Sequence, residues 1–264
     1  MTIDETNVAH ETIPLRSSDT DRFYNATLPF IFASCQEVAG EHATQRGMDI
    51  RTLKKDENCT WIISRTKITF DRTPVWGDTL SITTFPLDGW HLFCPRWIGA
   101  DDQNGKRVFS AMTHWIVMDL GRNRPVRPAM VSSRLIVPEE AKEVSPDIGR
   151  IHKFTDQEKT EEFEVYRPET TWLDTDFNMH INNVVYTRWI IEALPAEILN
   201  DMQIKEIDVQ WEAQTYEGDI IRVEGGITEK SEGKISVAQR IVRTEENGEE
   251  TVLFEANSVW APKD

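Results

Sequence analysis

Cysteine is scarce in this sequence of 264 residues, which has only three of them and no CxxC pair. A disulfide framework or a cysteine-based metal site needs numerous or closely spaced cysteines, so the sequence argues against both, and no metal and no cofactor are expected. Basic residues are also few, since 29 Lys and Arg stand against 45 Asp and Glu, which gives a net charge of -16. Such a charge repels polyanions, so nucleic-acid binding is not expected.

The sequence has no long apolar run. None approaches the roughly 18 residues of a membrane-spanning helix, so no membrane span is expected. The first residues, MTIDETNVAHET, are acidic and lack the basic and then apolar layout of a signal peptide. These features predict a cytoplasmic protein. The length and the hydrophobic content of 39% are typical of a globular chain with one or two domains.

One polar run, DTDFNMHINNVVY at 174–186, places an acid, an amide and an imidazole at every second position. Residues two apart in an extended segment point the same way, so these side chains are predicted to converge on one small volume. They are Asp176, Asn178 and His180. Asn182 or Asn183 is predicted to cap the apolar helix that follows, and Pro195 marks its end. Such a cluster at a helix N-terminus is suited to activating water and holding a carbonyl oxygen.

The rest of the pattern is one apolar helix followed by strands. A wide apolar stripe predicts a helix from Thr27 to Gln45, with Pro29 in its first turn. Four segments rich in β-branched and aromatic residues are predicted strands: Thr60–Phe70, Thr79–Pro86, Leu92–Ala100 and Val108–Leu120. The polar stretch Glu139–Glu158 has no clear period and is predicted to be a connector. The order favours an antiparallel sheet wrapped around the helix.

The second half of the sequence repeats the first. The DTD at 19–21 recurs at 174–176, and Glu37 recurs as Glu192, so both pairs have an offset of 155. Three further pairs match at other offsets: Arg16 with Arg167, Gly77-Asp78 with Gly218-Asp219, and VFSAMTHW with LFEANSVW. The sequence therefore predicts a duplicated unit of roughly domain size.

The repeat provides an internal control for the polar run. In the alignment Asn178 faces Phe23, and His180 faces Asn25, so the first copy keeps an aspartate but lacks the amide and the imidazole. Only the second copy carries all the groups that the chemistry needs. This asymmetry is expected if one unit is catalytic and the other serves binding, although drift of a purely structural turn has the same appearance.

The helix-wrapped sheet resembles the hot-dog fold, and its duplicated form with DTDFNMHINNVVY resembles the acyl-acyl-carrier-protein (acyl-ACP) thioesterases of bacteria and plant plastids. The resemblance covers nearly the whole chain, including ATLP at 26–29, QEVAGEHA at 36–43 and WIVMDLGRNRPVRP at 115–128. It implies an α+β fold of two tandem hot-dog domains, each an antiparallel sheet wrapped around a long central helix. The predicted limits are 1–138 for an acyl-chain-binding domain, 139–158 for a linker and 159–264 for a catalytic domain.

The resemblance also implies an activity, the hydrolysis of acyl-ACP thioesters to free fatty acid and holo-ACP, which terminates fatty acid synthesis. The catalytic Asp, Asn and His of the family fall on Asp176, Asn178 and His180. A further acidic residue is implied on a following strand, but this sequence has Gln214 there, with Glu212 two residues earlier on the same strand face. Plant members carry a cysteine at the next position, where this chain has Thr215, so a cysteine nucleophile is not expected.

A thioester hydrolase needs an oxyanion site and an activated water. The predicted oxyanion donors are the backbone amides at the start of the helix, Asn182 to Val184, with the amide side chain of the motif positioning the substrate. His180 is the predicted general acid and base, because an ordinary imidazole titrates near neutrality, and Asp176 is predicted to orient it. Gln214 can only position the water, since an amide is not a base at this pH, and Glu212 is the alternative base.

The first helix also supplies candidate substrate contacts, because an acyl tail can lie along a helix inside a sheet. The predicted substrate-binding residues are Phe30, Ser34, Val38 and His42, together with Asn182 and Asn183. His42 also has no paired partner in the sequence, which is typical of a structural histidine. The expected partner is an acyl carrier protein with a fatty acyl chain, docked on a basic patch: Lys54-Lys55, Arg122-Arg124-Arg127 or Arg150-Lys153. A homodimer is left open.

Two alternatives stay open at this point. An acyl-CoA thioesterase has the same turn and helix, and differs in the carrier that it accepts. A non-catalytic acyl-binding module is compatible with the missing carboxylate at Gln214. A hot-dog dehydratase is disfavoured, because its helix needs a second acidic residue aimed at a histidine, and Glu192 lies near the far end of the second helix.

Overall fold

A computed structural model describes residues 1–129, 134–231 and 233–263. Residues 130–133, 232 and 264 fall within the predicted domain ranges but lie outside the described residues. The chain divides into two compact units, the first made of Met1–Thr27 with Ala33–Gly149, and the second of Leu28–Phe32 with Arg150–Asp264. The domain limits that the sequence predicts at 138 and 159 stay predictions.

Helix α1, Leu28–Gln45, begins one residue after the predicted start and ends at the predicted residue. Gly47, with a φ of +67°, follows it in the left-handed conformation that ends many helices. A second helix, α2 at Ile50–Glu57, was not predicted. The Asp49 side chain caps it by accepting hydrogen bonds from the amides of Arg51 and Thr52 at 2.9 and 3.2 Å.

The sheet of the first unit is antiparallel throughout. Its strands are β1 (Thr2–Ile3), β2 (Ala9–Pro14), β3 (Cys59–Phe70), β4 (Thr79–Pro86), β5 (Cys94–Asp101), β6 (Arg107–Asp119) and β7 (Arg124–Pro125). The spatial order is β1-β2-β4-β5-β6-β3, with β7 paired to β6. The four predicted strands are therefore confirmed as β3 to β6, with limits that shift by no more than two residues.

The second unit repeats this arrangement. It contains β8 (Glu161–Glu162), α3 (Asn183–Glu192), α4 (Ala196–Asp201), β9 (Met202–Trp211), β10 (Ile221–Ser231), β11 (Lys234–Thr244) and β12 (Glu250–Pro262). The order β8-β10-β11-β12-β9 matches β2-β4-β5-β6-β3, so each strand has a counterpart in the first unit. The predicted duplication and the α+β tandem hot-dog fold are confirmed.

The predicted connector contains two short 3-10 helices, Glu139–Glu143 and Phe154–Asp156. Two more 3-10 helices precede the long helices, Ser17–Asp19 before α1 and Trp172–Asp174 before α3. They orient the chain as it enters the turn that leads to each helix. Among the described residues, no helix combines the length and the apolar character needed to cross a membrane.

The apolar faces of the helices form the cores. Along α1 the buried stripe contains Leu28, Ile31, Phe32, Cys35, Val38 and Ala39, as predicted. In the second unit, Tyr186, Trp189 and Ile190 of α3 are buried, and the Gln239 amide on β11 donates to the Ile190 carbonyl oxygen at 2.7 Å. Each large side chain buried in this way stabilises the fold by roughly 1.5–3 kcal/mol relative to an exposed one.

Candidate active site

The predicted catalytic run folds as a tight turn, and the prediction that it is extended is wrong. The Asp176 N–H donates to the His180 carbonyl oxygen at 2.8 Å, and the Met179 N–H donates to the Asp176 carbonyl oxygen at 2.9 Å. Thr175 and Ile181 form a bridge across the base of the turn. Met179 has a φ of +65°, which lets the chain reverse direction within five residues.

The turn brings the predicted acid and amide together. The Asp176 carboxylate accepts a hydrogen bond from the Asn178 N–H at 2.7 Å and another from the Asn178 side-chain amide at 3.4 Å. Both side chains are half-buried. An aspartate that bonds the amide two residues ahead stabilises a turn locally, so Asp176 fixes the direction of Asn178.

The imidazole of His180 lies against an aromatic ring from another segment. The ring of Tyr216 meets it edge to face, with centroids 5.0 Å apart and planes at 82°. The Tyr216 hydroxyl lies 3.4 Å from the Gln214 side-chain oxygen, to which it donates. The Ile181 N–H donates to the Thr215 carbonyl oxygen at 2.9 Å, which holds the two segments side by side. Gln214 is thus linked to the histidine turn through Tyr216.

Glu212 and Gln214 do not share a strand face, because β9 ends at Trp211 and both residues lie beyond it. That prediction is wrong. The Glu212 carboxylate accepts from the Gln210 amide at 2.7 Å and forms an ion pair with Lys153. Its charge is therefore already balanced by a lysine of the same unit.

Asp219 anchors the loop that carries Tyr216. Its carboxylate accepts from the Thr215 hydroxyl at 2.6 Å, from the Tyr216 N–H at 2.9 Å and from Arg243 at 3.0 Å. Burial by itself raises the pKa of Asp219, but these hydrogen bonds more than offset it and hold the pKa below its ordinary value. Gly218 precedes it with a φ of +88°, a conformation that favours glycine.

The start of α3 supplies one open amide. Asn182 is the N-cap, and its side-chain oxygen accepts from the Val184 N–H at 3.0 Å. The Asn182 N–H donates to the Asp174 carbonyl oxygen at 2.8 Å. Among the residues that the structure describes, the Asn183 N–H has no acceptor. Of the three predicted oxyanion donors, two are therefore occupied within the chain, and Asn183 can face a ligand.

Asp174 has a structural position. Its buried carboxylate accepts from the Thr171 N–H and hydroxyl at 2.9 and 2.8 Å, and from Arg188 of α3 at 2.8 Å. Burial raises the pKa of Asp174, but the bonds from Thr171 and Arg188 outweigh it and lower the pKa below its ordinary value. The aspartate fastens the 3-10 helix to α3 and so fixes where the turn begins.

A cleft of about 450 Å³ opens beside the turn. Its lining residues are Trp172, Leu173, Thr175, Asp176, Met179, Tyr216 and Glu217. The apolar members are unusually exposed, since Trp172 is 72% and Leu173 85% accessible. An apolar rim around a carboxylate suits a ligand with an aliphatic part and a polar reacting group.

The predicted substrate contacts on α1 are less accessible than this cleft. Ser34, Val38 and His42 are buried, and Phe30 is half-buried. The partners of His42 are distant in the sequence, since its Nε2 lies 3.1 Å from the Asn7 side-chain oxygen and its Nδ1 lies 2.9 Å from the Arg96 guanidinium. Burial, Arg96 and Arg46 lower the pKa of His42 to about 3. A role for these residues in substrate binding stays a prediction.

The turn in the first unit has the same backbone geometry. Thr20 and Ala26 form its bridge, the Asp21 N–H donates to the Asn25 carbonyl oxygen at 2.8 Å, and Tyr24 has a φ of +66°. The pairing of Phe23 with Asn178 and of Asn25 with His180 is therefore confirmed. The Arg16 pairing is wrong, because its N–H bonds the Asp19 carboxylate as the Thr171 N–H bonds Asp174, which makes Thr171 its counterpart.

No cluster of three or more His, Cys, Asp or Glu side chains is arranged to hold a metal ion in the described part of the chain. The three cysteines are free and buried, and burial raises the pKa of Cys35 and Cys94 to about 12. Their thiols are therefore poor nucleophiles. The chemical groups available at the turn are a carboxylate, an amide, an imidazole, a phenol and a helix N-terminus.

Comparisons with known proteins match both halves of the chain to one family. Residues 6–130 match the family model of the acyl-ACP thioesterase N-terminal domain, and residues 155–262 match that of the C-terminal domain. An acyl-[acyl-carrier-protein] hydrolase of Cuphea viscosissima, FATB2, is 22% identical over 97% of this chain and 63% of its own length. An oleoyl-acyl carrier protein thioesterase of Arabidopsis thaliana is 24% identical over 80% of this chain and 61% of its own length. The chain thus spans less than two thirds of these relatives.

Solved structures share the fold. An acyl-ACP thioesterase from Bacteroides thetaiotaomicron aligns over 96% of this chain and 97% of its own, with a TM-score of 0.77 and 23% identity. The 12:0-ACP thioesterase from Umbellularia californica aligns over 97% of this chain and 98% of its own, with a TM-score of 0.77 and 17% identity. The paired domain matches cover most of the sequence, and the chain belongs to the acyl-ACP thioesterase family.

Proposed function

We propose that this protein hydrolyses acyl-ACP thioesters to free fatty acid and holo-ACP and so terminates fatty acid synthesis. The observation that carries the proposal is the turn of Asp176, Asn178 and His180, in which Asp176 lines an apolar-rimmed cleft and which leads directly into the open amide of Asn183 at the start of α3. It unites a candidate base, a polar positioning group and an oxyanion donor within one short stretch of chain.

In the proposed mechanism, His180 takes a proton from water, and the hydroxide attacks the thioester carbonyl carbon. The oxygen of the tetrahedral intermediate takes the negative charge and accepts from the Asn183 N–H, with Asn178 positioning the acyl group. The intermediate collapses by breaking the C–S bond, and the protonated His180 returns its proton to the leaving thiolate. Asp176 holds Asn178 in place through its two hydrogen bonds.

Water positioning is assigned to Gln214, whose amide can donate and accept but cannot act as a base. Glu212 stays the alternative base. Its ion pair with Lys153 and its bond from Gln210 favour His180 over it, because proton transfer from water would have to compete with both. Glu212→Gln distinguishes the two candidate bases. If this variant loses as much activity as His180→Ala, the carboxylate of Glu212 is the base.

The test of the proposal is His180→Ala, assayed by thiol release from acyl-ACP. Loss of the general acid and base should lower kcat by about 10²–10⁴-fold. His152→Ala is the matched control, because its side chain is exposed and lies outside the turn. Full activity of His180→Ala excludes the assignment, and a purified wild-type protein that hydrolyses no acyl thioester excludes the enzyme.

A non-catalytic acyl-binding module is the second candidate, and the amide of Gln214 in the place of an acidic residue favours it. Tight binding of an acyl chain without thiol release would establish that function instead.

An acyl-CoA thioesterase is distinguished by the carrier. Hydrolysis of one acyl chain should be faster on the carrier protein than on CoA, and should weaken more steeply with salt if a basic patch docks the carrier.

Three patches are proposed for that docking: Lys54-Lys55, Arg122-Arg124-Arg127 and Arg150-Lys153. Helix α2 exposes Lys54 and Lys55 and buries Leu53. Charge reversal at one patch should raise KM for acyl-ACP and leave the KM for acyl-CoA unchanged.

A homodimer and a cytoplasmic location are also proposed. Sedimentation tests the first, and cell fractionation tests the second.

A further inference from the structure

The residue in contact with the imidazole of His180 is an aromatic one. We infer that Tyr216 is a positioning residue for His180 and Gln214, which holds the imidazole and the amide in the arrangement used for hydrolysis. The inference rests on the proposed function and extends it to a residue outside the polar run. Its basis is the edge-to-face contact with His180 and the hydroxyl contact with Gln214.

Both partners of this contact are fixed by backbone hydrogen bonds. The residue after His180, Ile181, donates its N–H to the carbonyl oxygen of Thr215, which precedes Tyr216. The Tyr216 N–H itself donates to the Asp219 carboxylate at 2.9 Å. The two rings therefore have little freedom to separate, and Tyr216 limits the rotation of the imidazole through direct contact.

The loop that presents Tyr216 is held from a second side. Arg243 on β11 donates to the Asp219 carboxylate at 3.0 Å and to the Gln214 carbonyl oxygen at 3.0 Å. One guanidinium thus holds the loop both before Tyr216, at Gln214, and after it, at Asp219. Because the backbone is held independently of the phenol, removal of the side chain should leave the loop in place, and its effect should be confined to His180 and Gln214.

The hydroxyl contact orients the side chain of Gln214. The Gln214 side-chain oxygen accepts from the Tyr216 hydroxyl at 3.4 Å. The amide nitrogen of Gln214 is then the part that can donate to a water or to the substrate. Tyr216 also lines the cleft with Asp176, so its ring lies on the side from which a thioester approaches.

The first unit provides an internal comparison. Val75 occupies the position of Tyr216, because its N–H donates to the Asp78 carboxylate at 2.9 Å as the Tyr216 N–H donates to Asp219. Asn25 occupies the position of His180 in the same unit. The ring is therefore present in the unit that has the imidazole and absent from the other. A valine is a residue that this turn already accommodates.

The experiment compares Tyr216→Val with Tyr216→Phe in steady-state hydrolysis of acyl-ACP. Tyr216→Val removes the ring, and kcat should fall by about 10–100-fold with KM nearly unchanged, because a misplaced base affects the chemical step. Tyr216→Phe keeps the ring and should restore kcat to within about 5-fold of wild type, the remainder reflecting the lost contact with Gln214. Ile220→Val, an exposed apolar change nearby, is the control.

The pH profile separates positioning from simple damage to the fold. The shape of the kcat profile should change in Tyr216→Val, and should be preserved in Tyr216→Phe and Ile220→Val. Equal kcat and equal profiles in Tyr216→Val and wild type overturn the inference. Equal losses in Tyr216→Val and Tyr216→Phe overturn the positioning of His180, because they assign the effect to the hydroxyl contact with Gln214 and not to the ring contact.

A second readout does not depend on activity. Nuclear magnetic resonance of the histidine Cε1–H groups should show the His180 signal displaced in Tyr216→Val and retained in Tyr216→Phe, because the ring current of residue 216 acts on it. If the wild-type protein hydrolyses no thioester, the proposed function fails, but this measurement still tests whether the ring of Tyr216 contacts the imidazole of His180. An unmoved His180 signal in Tyr216→Val refutes the positioning role in either case.

Discussion

Acid should destabilise this protein through His42, which is fully buried on α1. The Nδ1 atom of the imidazole accepts a hydrogen bond from the Arg96 guanidinium at 2.9 Å, so a proton on that nitrogen would place two positive charges in contact. Burial and the charges of Arg96 and Arg46 lower the pKa of His42 from 6.5 to about 3. The folded protein therefore keeps this histidine neutral where the unfolded chain protonates it.

The direction and the size of this change in stability follow from proton linkage. Between pH 6.5 and about 3 the unfolded state binds one more proton than the folded state, so stability falls as the pH falls through this window. Each unit of pH contributes about 1.4 kcal/mol, and the full window about 5 kcal/mol. At pH 4.5 the loss attributable to His42 should be about 3 kcal/mol, a large fraction of the stability of an ordinary domain.

The measurement is urea unfolding, followed by tryptophan fluorescence, between pH 7 and 4.5. His42→Gln removes the titrating group but keeps an oxygen for Arg96, so its free energy of unfolding should decline less steeply, by about 1.4 kcal/mol per pH unit. Carboxylates that lose stabilising bonds in acid contribute equally to both proteins and cancel in the difference. His152→Gln, at an exposed position, is the control. Parallel pH curves for His42→Gln and wild type would refute the reasoning.

Two further predictions concern the frame around the turn. Asn182→Ala removes the cap that accepts the Val184 N–H, and should lower the free energy of unfolding by about 1 kcal/mol, as measured by urea unfolding. Asp174→Asn weakens the bonds from Thr171 and Arg188 and should lower it by about 1–3 kcal/mol, less than for a fully buried pair because Arg188 is 44% exposed. A change in kcat without a change in stability in either variant would contradict a purely structural role.

The strands and the first helix were predictable because their patterns are long. Helix α1 has a continuous apolar stripe, and β4 has the predicted limits of Thr79–Pro86. Helix α2 was missed because it has eight residues with only Leu53 buried, so it offers almost no period to detect. Its signals were the terminal residues, the cap at Asp49 and the left-handed Asn58.

The turn was misread because a period of two is not unique to strands. Asp176 accepts the N–H of Asn178, a local bond that competes with an extended backbone and that the same two residue types make in either structure. Met179, which adopts a positive φ, gives no sequence signal for it, since methionine seldom does so. The residue types of the site were therefore predictable, and the way in which they meet was not.

The role of Tyr216 was not predictable from the sequence for a different reason. It belongs to a segment more than thirty residues from His180, and the bond from Ile181 to Thr215 that joins the segments is made by backbone atoms. Hydrogen bonds between backbone atoms do not depend on the residue type, so the sequence does not reveal them. The Gly218-Asp219 repeat is the available signal, because Asp219 fixes the Tyr216 N–H, but the repeat by itself indicates only duplication.

The two copies of the turn show where chemical capacity resides in this fold. The backbone bonds of Asp21 and Asp176 have the same pattern, and Asp78 and Asp219 hold their loops in the same way, so the frame does not distinguish the units. Among the positions that differ are three at the site, where Phe23, Asn25 and Val75 of the first unit align with Asn178, His180 and Tyr216 of the second. Substitutions that transfer function should therefore act on these positions together. His180 without its aromatic neighbour has an unfixed ring, and Tyr216 without the imidazole has nothing to position, so we expect all three replacements to be needed together before a second site can form in the first unit.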